Sequence, residues 1–436
     1  MKPSIYNVFF YFNDKLYVYN TLSSAILTLT PDIVSCLKAG NLKSIDNGIE
    51  TILKRNGIIV DMDCDEYSVY EYYYNSVQYN TATEELRIVI LPTYQCNLCC
   101  SYCFEDCKNL SCRLTDEKIV SIIRFIENEV NTPRRMYKRI GMVLFGGEPL
   151  VCKKECLLLT ERIKSVAEKH SLEFVSKIIT NATLIDENVV KQLILPYKMR
   201  IQITLDGNQQ THDERRKYKS GHGSFDKIQK AIQLLNEYGC KELIDLRLNI
   251  DKGNLDCVES VFCDFHDLCG YMYIGLLRPS GNNACHSDAC ITDNDYLIKI
   301  RPMLKPIYKK YKKELHYVPF GKKRPCALNR PGSFIIDPEL YVYKCDNLVG
   351  MEQFSVGRIV DGNLIKSAQY YSQLTWSPFH SEKCRTCKLL PVCASDCAYR
   401  CFSYAGSMFK PYCAMTEQQL IEKVKIYIAE RNGSDD

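Results

Sequence analysis

Three thiols in one short stretch are the first feature with chemical content. Cys96, Cys100 and Cys103 stand in a C-x3-C-x2-C arrangement directly after an apolar, strand-like run. Thiolates serve redox chemistry and bind soft metals, but only ligation demands short fixed intervals. Three thiolates converging from one tight loop suit an iron–sulfur cube and leave its fourth iron open to another ligand. A structural zinc site is the other chemistry the triplet allows, with Cys99 or Cys107 as fourth ligand. A second set lies toward the C-terminus. There Cys384-x2-Cys387-x5-Cys393-x3-Cys397 is followed by Cys413 and preceded by Cys326 and Cys345. Pairs spaced C-x2-C suit zinc ribbons as well. The chain holds 24 cysteines in 436 residues and shows no secretory leader, so the disulfide framework of a small exported domain does not account for them. Gly146-Gly147-Glu148-Pro149 is a turn whose two glycines permit a close backbone approach beside a carboxylate.

Such residues need a rigid frame. Strand-like runs at Leu86–Leu91, Gly141–Phe145, Phe174–Thr180, Arg200–Leu205, Leu243–Ile250 and Tyr271–Leu277 alternate with helical periods such as Ile119, Ile122, Ile123, Ile126 and Val130. Repeated strand–helix units with right-handed crossovers predict an α/β fold, a partial (β/α)6 TIM barrel with helices outside. The thiol triplet follows the first strand and Gly-Gly-Glu-Pro the second, at the strand ends where such folds place their sites. Period-two alternation puts Gln202, Thr204, Arg247 and Asn249 on one face, either a polar lumen suited to a ligand or the wet face of edge strands. Around this core (83–280), residues 1–82 read as a small α+β unit with a hairpin turn at Asn13-Asp14 and a tyrosine-rich stretch, Tyr67 to Tyr79, that serves as a linker or an interdomain helix. Residues 281–325 read as a bridge without a clear period, and 326–436 as a cysteine-rich domain folded around metal. Cys36, Cys240, Cys257 and Cys263 read as core thiols.

These motifs together resemble the radical S-adenosylmethionine (radical SAM) superfamily. The resemblance covers Leu86 to about Leu277 and implies that Cys96, Cys100 and Cys103 hold a [4Fe–4S] cluster whose open iron binds S-adenosyl-L-methionine. It implies further that Tyr102 and Phe104 are the habitual aromatics, with Tyr102 near the adenine. By the same resemblance Gly146, Gly147, Glu148 and Pro149 receive the ligand's ammonium. Thr180-Asn181-Ala182-Thr183 resembles a TNGT ribose segment with Ala182 in place of glycine. Leu205-Asp206-Gly207, His212-Asp213 and Arg215 resemble an LDG…HDxxR segment, which brings Thr204, Asp206, Arg215, Arg247 and Asn249 to the cofactor. The C-terminal set resembles the SPASM extension with two auxiliary [4Fe–4S] clusters, making three in all. Cys384, Cys387, Cys393 and Cys413 would hold one, and Cys326, Cys345 and Cys397 the other, with Leu340 where the pattern has glycine. The implied chemistry is reductive cleavage to a 5′-deoxyadenosyl radical that abstracts hydrogen from a substrate.

A net charge of +4 does not suggest nucleic acid, and no apolar run is long enough for a bilayer. The chain reads as a cytoplasmic enzyme served by an electron donor such as flavodoxin or ferredoxin. Enzymes with this core and extension include sulfatase maturases and maturases of ribosomally made peptides. The front unit, winged-helix-like by resemblance, and Tyr19-Asn20-Thr21-Leu22-Ser23-Ser24-Ala25, which resembles a YNTLSGA stretch, favour the second. The partner is then a precursor peptide gripped through its leader. The expected product carries thioether links, as in sactipeptides or ranthipeptides. Cys345-Asp346 keeps the sulfatase maturase open, with Asp346 as its base. A non-enzymatic metal-binding peptide scaffold is the third reading.

Overall fold

The computed structural model describes residues 1–81, 84–103, 112–133, 136–277, 290–291, 296, 300–311, 326–395, 397–413 and 415–431. Phe104, Cys107 and most of the bridging segment 281–325 lie outside the described residues. The chain divides into two compact units, one of 1–80, 314–326 and 375–436, the other of 81–313 and 327–374. None of the helices among the described residues is long and apolar enough to cross a membrane.

The first unit joins both chain ends. β1 (Lys2–Pro3) pairs with β5 (Ile59–Val60), while β2 (Asn7–Phe12), β3 (Lys15–Asn20) and β4 (Ile26–Leu29) form an antiparallel meander in that order. Asn13 and Asp14 both take positive φ, 47° and 56°, as a tight two-residue hairpin turn requires. One face of the meander meets Leu37, Leu42, Ile45, Leu53 and Ile58 through Val18. The other, through Val8, Phe10, Tyr17 and Tyr19, is covered by Leu389 and Val392 and by Leu420, Val424 and Ile428 of the terminal helix Glu417–Arg431. Two of the breaks fall within two residues of the expected boundaries at 82 and 326, but residues 375–436 group with 1–80 and residues 327–374 with the large sheet. A two-faced sheet needs two apolar covers, and its second one comes from the C-terminus. The tyrosine-rich stretch is a core helix here, Glu66–Thr81. Tyr67, Tyr70 and Tyr74, one helical stripe, set their rings edge-on to Phe379 at 5.3–5.5 Å.

The second unit is built on a sheet of ten strands. Six run parallel in sequence order: β6 (Glu85–Ile90), β8 (Arg139–Leu144), β9 (Glu173–Thr180), β10 (Arg200–Leu205), β12 (Ile244–Ile250) and β13 (Tyr271–Leu276). These are the six expected strands. Their apolar sides, including Ile201, Ile203, Leu205, Ile244, Leu246 and Leu248, are fully buried; helix Asp116–Val130 buries Ile119, Ile122, Phe125 and Ile126 while the expected Ile123 and Val130 are half-buried, and helix Phe225–Glu237 buries Ile228, Ala231, Ile232 and Leu235. Beyond β6 the sheet continues with β14 (Ser333–Ile336), also parallel, and then antiparallel β15 (Tyr341–Tyr343), β16 (Gly357–Val360) and β17 (Asn363–Lys366). Residues 327–374 thus join the large sheet rather than a separate C-terminal domain, because β14 supplies the hydrogen-bonding partner for β6. Of the expected core thiols Cys240 is buried, Cys36 and Cys257 are half-buried, and Cys263 is exposed.

Candidate active site

The cysteine loop is pinned at the carboxyl end of the parallel strands, where open α/β sheets bind ligands. β7 (Leu98–Cys100) pairs antiparallel with β11 (Arg216–Tyr218), setting Arg216 opposite Cys100. The Cys103 N–H donates to the Cys100 carbonyl at 3.1 Å, closing the turn. The Leu98 N–H points at Cys96 Sγ, 3.4 Å away. All three thiols are half-buried. Burial pushes the free thiols of Cys96 and Cys100 up to about 11, and the Arg216 guanidinium opposes the shift at both. A loop of protonated thiols that deprotonates as iron binds fits a thiolate-held cluster. Among the described residues no three Cys, His, Asp or Glu side chains converge for a single metal ion, at this loop or around Cys384, Cys387, Cys393 and Cys413. A cube offers each thiolate its own iron, so its ligands need not meet at one point.

Gly146 and Gly147 serve the same loop. A Cβ at Gly146 would stand 2.6 Å from the Thr93 carbonyl, and one at Gly147 2.3 Å from that of Gln95. Their missing side chains let Gly147 and Glu148 donate backbone bonds to Thr93 and Gln95, just before Cys96. Glu148, expected to face an ammonium group, is fully buried with both oxygens engaged. Oε1 accepts from the Leu150 N–H and Thr180 Oγ1 (3.0 and 2.7 Å) and Oε2 from the Asn181 N–H (2.7 Å). Burial raises its carboxyl, and these bonds partly oppose that. Glu148 therefore ties the ends of β8 and β9 together, and Pro149 opens the 3-10 turn Pro149–Cys152 behind it. Asn181 Nδ2 donates to Asn97 Oδ1 at 2.8 Å and Asn97 Nδ2 to Thr183 Oγ1 at 2.8 Å, a clasp on the residue after Cys96.

Tyr102 is the hub of a second network. Its hydroxyl donates to Asp206 Oδ1 (2.7 Å) and accepts from Arg216 Nη1 (2.6 Å) and Asn249 Nδ2 (3.1 Å). Asp206, fully buried, also takes Arg215 Nε at 3.1 Å, and Arg215 Nη2 reaches Asp251 at 2.7 Å. Two buried carboxylates and two guanidiniums thus compensate each other. Counted from His212, the HDxxR spacing falls on Arg216, one residue beyond Arg215, and it is Arg216 that faces Tyr102 and Cys100. His212 is structural: Nδ1 accepts the Asp206 N–H (3.3 Å), and Nε2 meets Ser224 Oγ (3.1 Å), which donates to the Arg216 carbonyl. Burial and the two arginines lower its pKa to about 3, keeping it neutral. Asn97, Arg216 and Asp251 were not foreseen; only Arg216 had a spacing that marks it.

Register puts Gln202, Thr204, Arg247 and Asn249 on one face, as the alternation implies, with Thr204 opposite Arg247. Arg247 Nε donates to Asn249 Oδ1 at 2.8 Å, while Thr204 stays outside the Tyr102 network. Lower on this face Asp245 takes both Lys177 (3.0 Å) and Arg200. Asp346 is exposed in the turn Asp346–Leu348 after β15, at the sheet end opposite the cysteine loop, with Arg87 the cation facing it. The expected ligands Cys384, Cys387, Cys393, Cys397 and Cys413 all belong to the first unit with Cys326, whereas Cys345 belongs to the second. Cys387 and Cys393 pack against the Val8–Leu420 core, and Cys384 sits with the tyrosine stripe.

Comparison with known proteins agrees with this geometry. The family profile "Radical SAM superfamily" matches residues 90–262. A cysteine-type anaerobic sulfatase-maturating enzyme of Clostridium perfringens is 24% identical over 340 residues, covering 72% of this chain and 88% of that protein. Among solved structures, anSMEcpe with AdoMet and the Cp18Cys peptide aligns with a TM-score of 0.59 at 19% identity, covering 80% of this chain and 99% of that one. Streptococcus suis SuiB bound to precursor peptide SuiA aligns with a TM-score of 0.56 at 14% identity, covering 95% and 99%. Residues 90–262 thus match a radical SAM domain, which implies S-adenosylmethionine and a [4Fe–4S] cluster there, and the chain is an enzyme.

Proposed function

We propose that this enzyme is a peptide maturase that installs thioether cross-links in a ribosomally made, cysteine-rich precursor. The observation that carries the reading is the first unit. Its meander leaves β4 paired only with β3 among the described residues, an edge on which a leader strand can add. In support, the likeness to SuiB, solved with a precursor peptide, extends over 95% of the chain, against 80% for anSMEcpe.

Cys96, Cys100 and Cys103 would hold the catalytic cluster, and the seven C-terminal cysteines two auxiliary ones. When bound, these groups and S-adenosylmethionine supply a hydrogen-abstracting 5′-deoxyadenosyl radical and an acceptor for the electron that C–S bond formation releases. The chain orients and encloses. Glu148 and the Asn181–Asn97–Thr183 clasp hold the cysteine loop, and Asp206 and Arg216 fix the Tyr102 ring that would flank the adenine. A new C–S bond replaces one C–H and one S–H bond. One hydrogen atom goes to the nucleoside radical, and a proton and an electron leave separately. The electron enters by way of a flavodoxin- or ferredoxin-like donor.

A sulfatase maturase is the second reading, favoured by the sequence relatives. Anaerobic turnover of reconstituted protein with dithionite, S-adenosylmethionine and a cysteine-rich candidate precursor separates the two. Peptide that loses two hydrogens and keeps its sulfur supports thioether formation. Loss of sulfur with gain of an aldehyde supports formylglycine formation and sinks the first reading.

A further inference from the structure

We propose that the Tyr6 hydroxyl donates a hydrogen bond to a sulfur, thiolate or sulfide, of the auxiliary cluster that Cys384 and Cys387 would hold, and so sets its reduction potential. The inference rests on the auxiliary-cluster reading above and adds the residue that tunes that cluster. Tyr6 is fully buried, and its hydroxyl has no hydrogen-bond partner among the described residues. A phenol buried with nothing to donate to is costly, so an acceptor that arrives with a bound group is expected. The carboxylates whose charge reaches it take other donors. Glu66 accepts from Ser4 Oγ and the Ile5 N–H, and Asp65 from Ser68 Oγ and the Tyr67 N–H. Burial first, then the charges of Glu66, Tyr67, Asp65 and Cys387, raises its pKa, so the hydroxyl keeps the proton a donor needs.

The ring packs in one buried cluster with Cys384, Leu390 and Ala394 and with the tyrosine stripe Tyr67, Tyr70 and Tyr74, all within the first unit. Backbone bonds lock it there. The Tyr6 carbonyl accepts from the Thr21 N–H at 3.0 Å, and Thr21 Oγ1 donates to the carbonyl of Lys388, the residue after Cys387. Beside Thr21, the Asn20 amide donates to Ser4, Asn7 and Gly57. The Tyr19–Ala25 stretch thus fastens Tyr6 to the cysteine loop. Two other hydroxyls of this region are already engaged. Tyr67 donates to the Phe379 carbonyl at 2.8 Å, and Ser395, 3.2 Å from Cys384 Sγ, donates to the Pro378 carbonyl at 3.3 Å. A cube held against so apolar a wall gains negative charge on reduction with little to offset it. A hydrogen bond to its sulfur stabilises that reduced form and raises the potential.

The test uses the full chain carrying Cys96→Ala, Cys100→Ala and Cys103→Ala, reconstituted anaerobically with iron and sulfide so that only auxiliary clusters remain. Reduction is followed by electron paramagnetic resonance during a potentiometric titration. Adding Tyr6→Phe should shift one cluster's equilibrium roughly tenfold toward the oxidised form, a midpoint about 59 mV lower, and leave any other midpoint in place. In the apoprotein the same change removes only an unpaired hydroxyl, so the urea midpoint should hold or rise. Tyr67→Phe should do the reverse, lowering stability through its lost bond to Phe379 while the potentials stay put. Unchanged midpoints in Tyr6→Phe overturn the inference and leave the auxiliary clusters standing. So does an equal shift in both variants, or a loss of apoprotein stability in Tyr6→Phe, which would mark the hydroxyl as bonded within the protein. Absence of bound iron from the triple variant overturns the cluster reading, and the inference with it.

Discussion

Strands β6 to β13 bury their helices against neighbours in sequence, each unit completing the one before it. The core around Val8 and Phe10 instead waits for Leu420, Val424 and Ile428 at the far end of the chain. In the sheet, chemistry is confined to one end and one face, and the apolar side carries the stability. In the unit made from the chain ends, Cys384, Cys387 and Cys393 pack directly into the apolar clusters, so expected ligands and core are the same residues. A site of the first kind tolerates changes in its loops, whereas one of the second cannot change without moving its core.

The largest effect tests whether radical chemistry belongs to the sheet alone. Replacing Cys96, Cys100 and Cys103 together by alanine should abolish 5′-deoxyadenosine release, measured chromatographically with dithionite, while the far-ultraviolet circular dichroism of the sheet persists. Release at wild-type rate in that variant refutes the ligand assignment. Next in size is the core joining the chain ends. Leu420→Ala should destabilise the first unit by about 2–5 kcal/mol, since a fully buried leucine leaves a cavity between β2 and the terminal helix. Deleting residues 1–82 would strip that helix of its partner altogether. Protection of Val8 and Phe10 amides from hydrogen exchange should fall in Leu420→Ala, with β10 and β12 amides unchanged. A uniform fall in both units would mean that the two cores are one cooperative system.

His212 probes the sheet from within. Its folded pKa of about 3 lies below the ordinary 6.5, so its contribution is complete above 6.5 and drains away as pH falls through that window. Near pH 5 the loss from this group alone is about 2 kcal/mol. The urea midpoint should therefore drop between pH 7 and pH 5, and His212→Gln, which cannot titrate, should flatten the drop. An unchanged slope would assign the acid sensitivity to other groups.

The same contrast explains what could be read beforehand. The six parallel strands and the polar row Gln202, Thr204, Arg247 and Asn249 follow from alternation within single segments, a local signal. β14 did not show itself, because Ser333–Ile336 is too short for a period and its partner β6 lies far off in the chain. Arg216 was within reach of spacing. Asn97 and Tyr6 were not, since one clasps a distant loop and the other meets a cysteine from the far end of the chain. The glycine turn was recognised from its motif, but its packing against the backbone before Cys96 was not. Gly146 and Gly147 admit neighbouring backbone, and Glu148 is held by protein donors.

Two departures from the family pattern offer the finest test, because both residues stand in place of an expected glycine and both take positive φ: Ala182 at 65° and Leu340 at 67°. The left-handed region costs an L-residue about 1–2 kcal/mol. Leu340 closes the β14–β15 turn, where its N–H donates to the Asp337 carbonyl at 3.0 Å and Asp337 Oδ1 accepts from the N–H groups of Glu339 and Tyr341. Its side chain is half-exposed, so Leu340→Gly gives up little packing and should stabilise the sheet by about 0.5–1 kcal/mol after the added unfolded-state entropy. The Ala182 methyl is fully enclosed. Losing it costs about 0.8 kcal/mol, so Ala182→Gly should change urea stability by less than about 0.5 kcal/mol. Equal gains at both sites would show the enclosed methyl to be idle, and a loss at Leu340 would show that its contacts outweigh the strain of the turn.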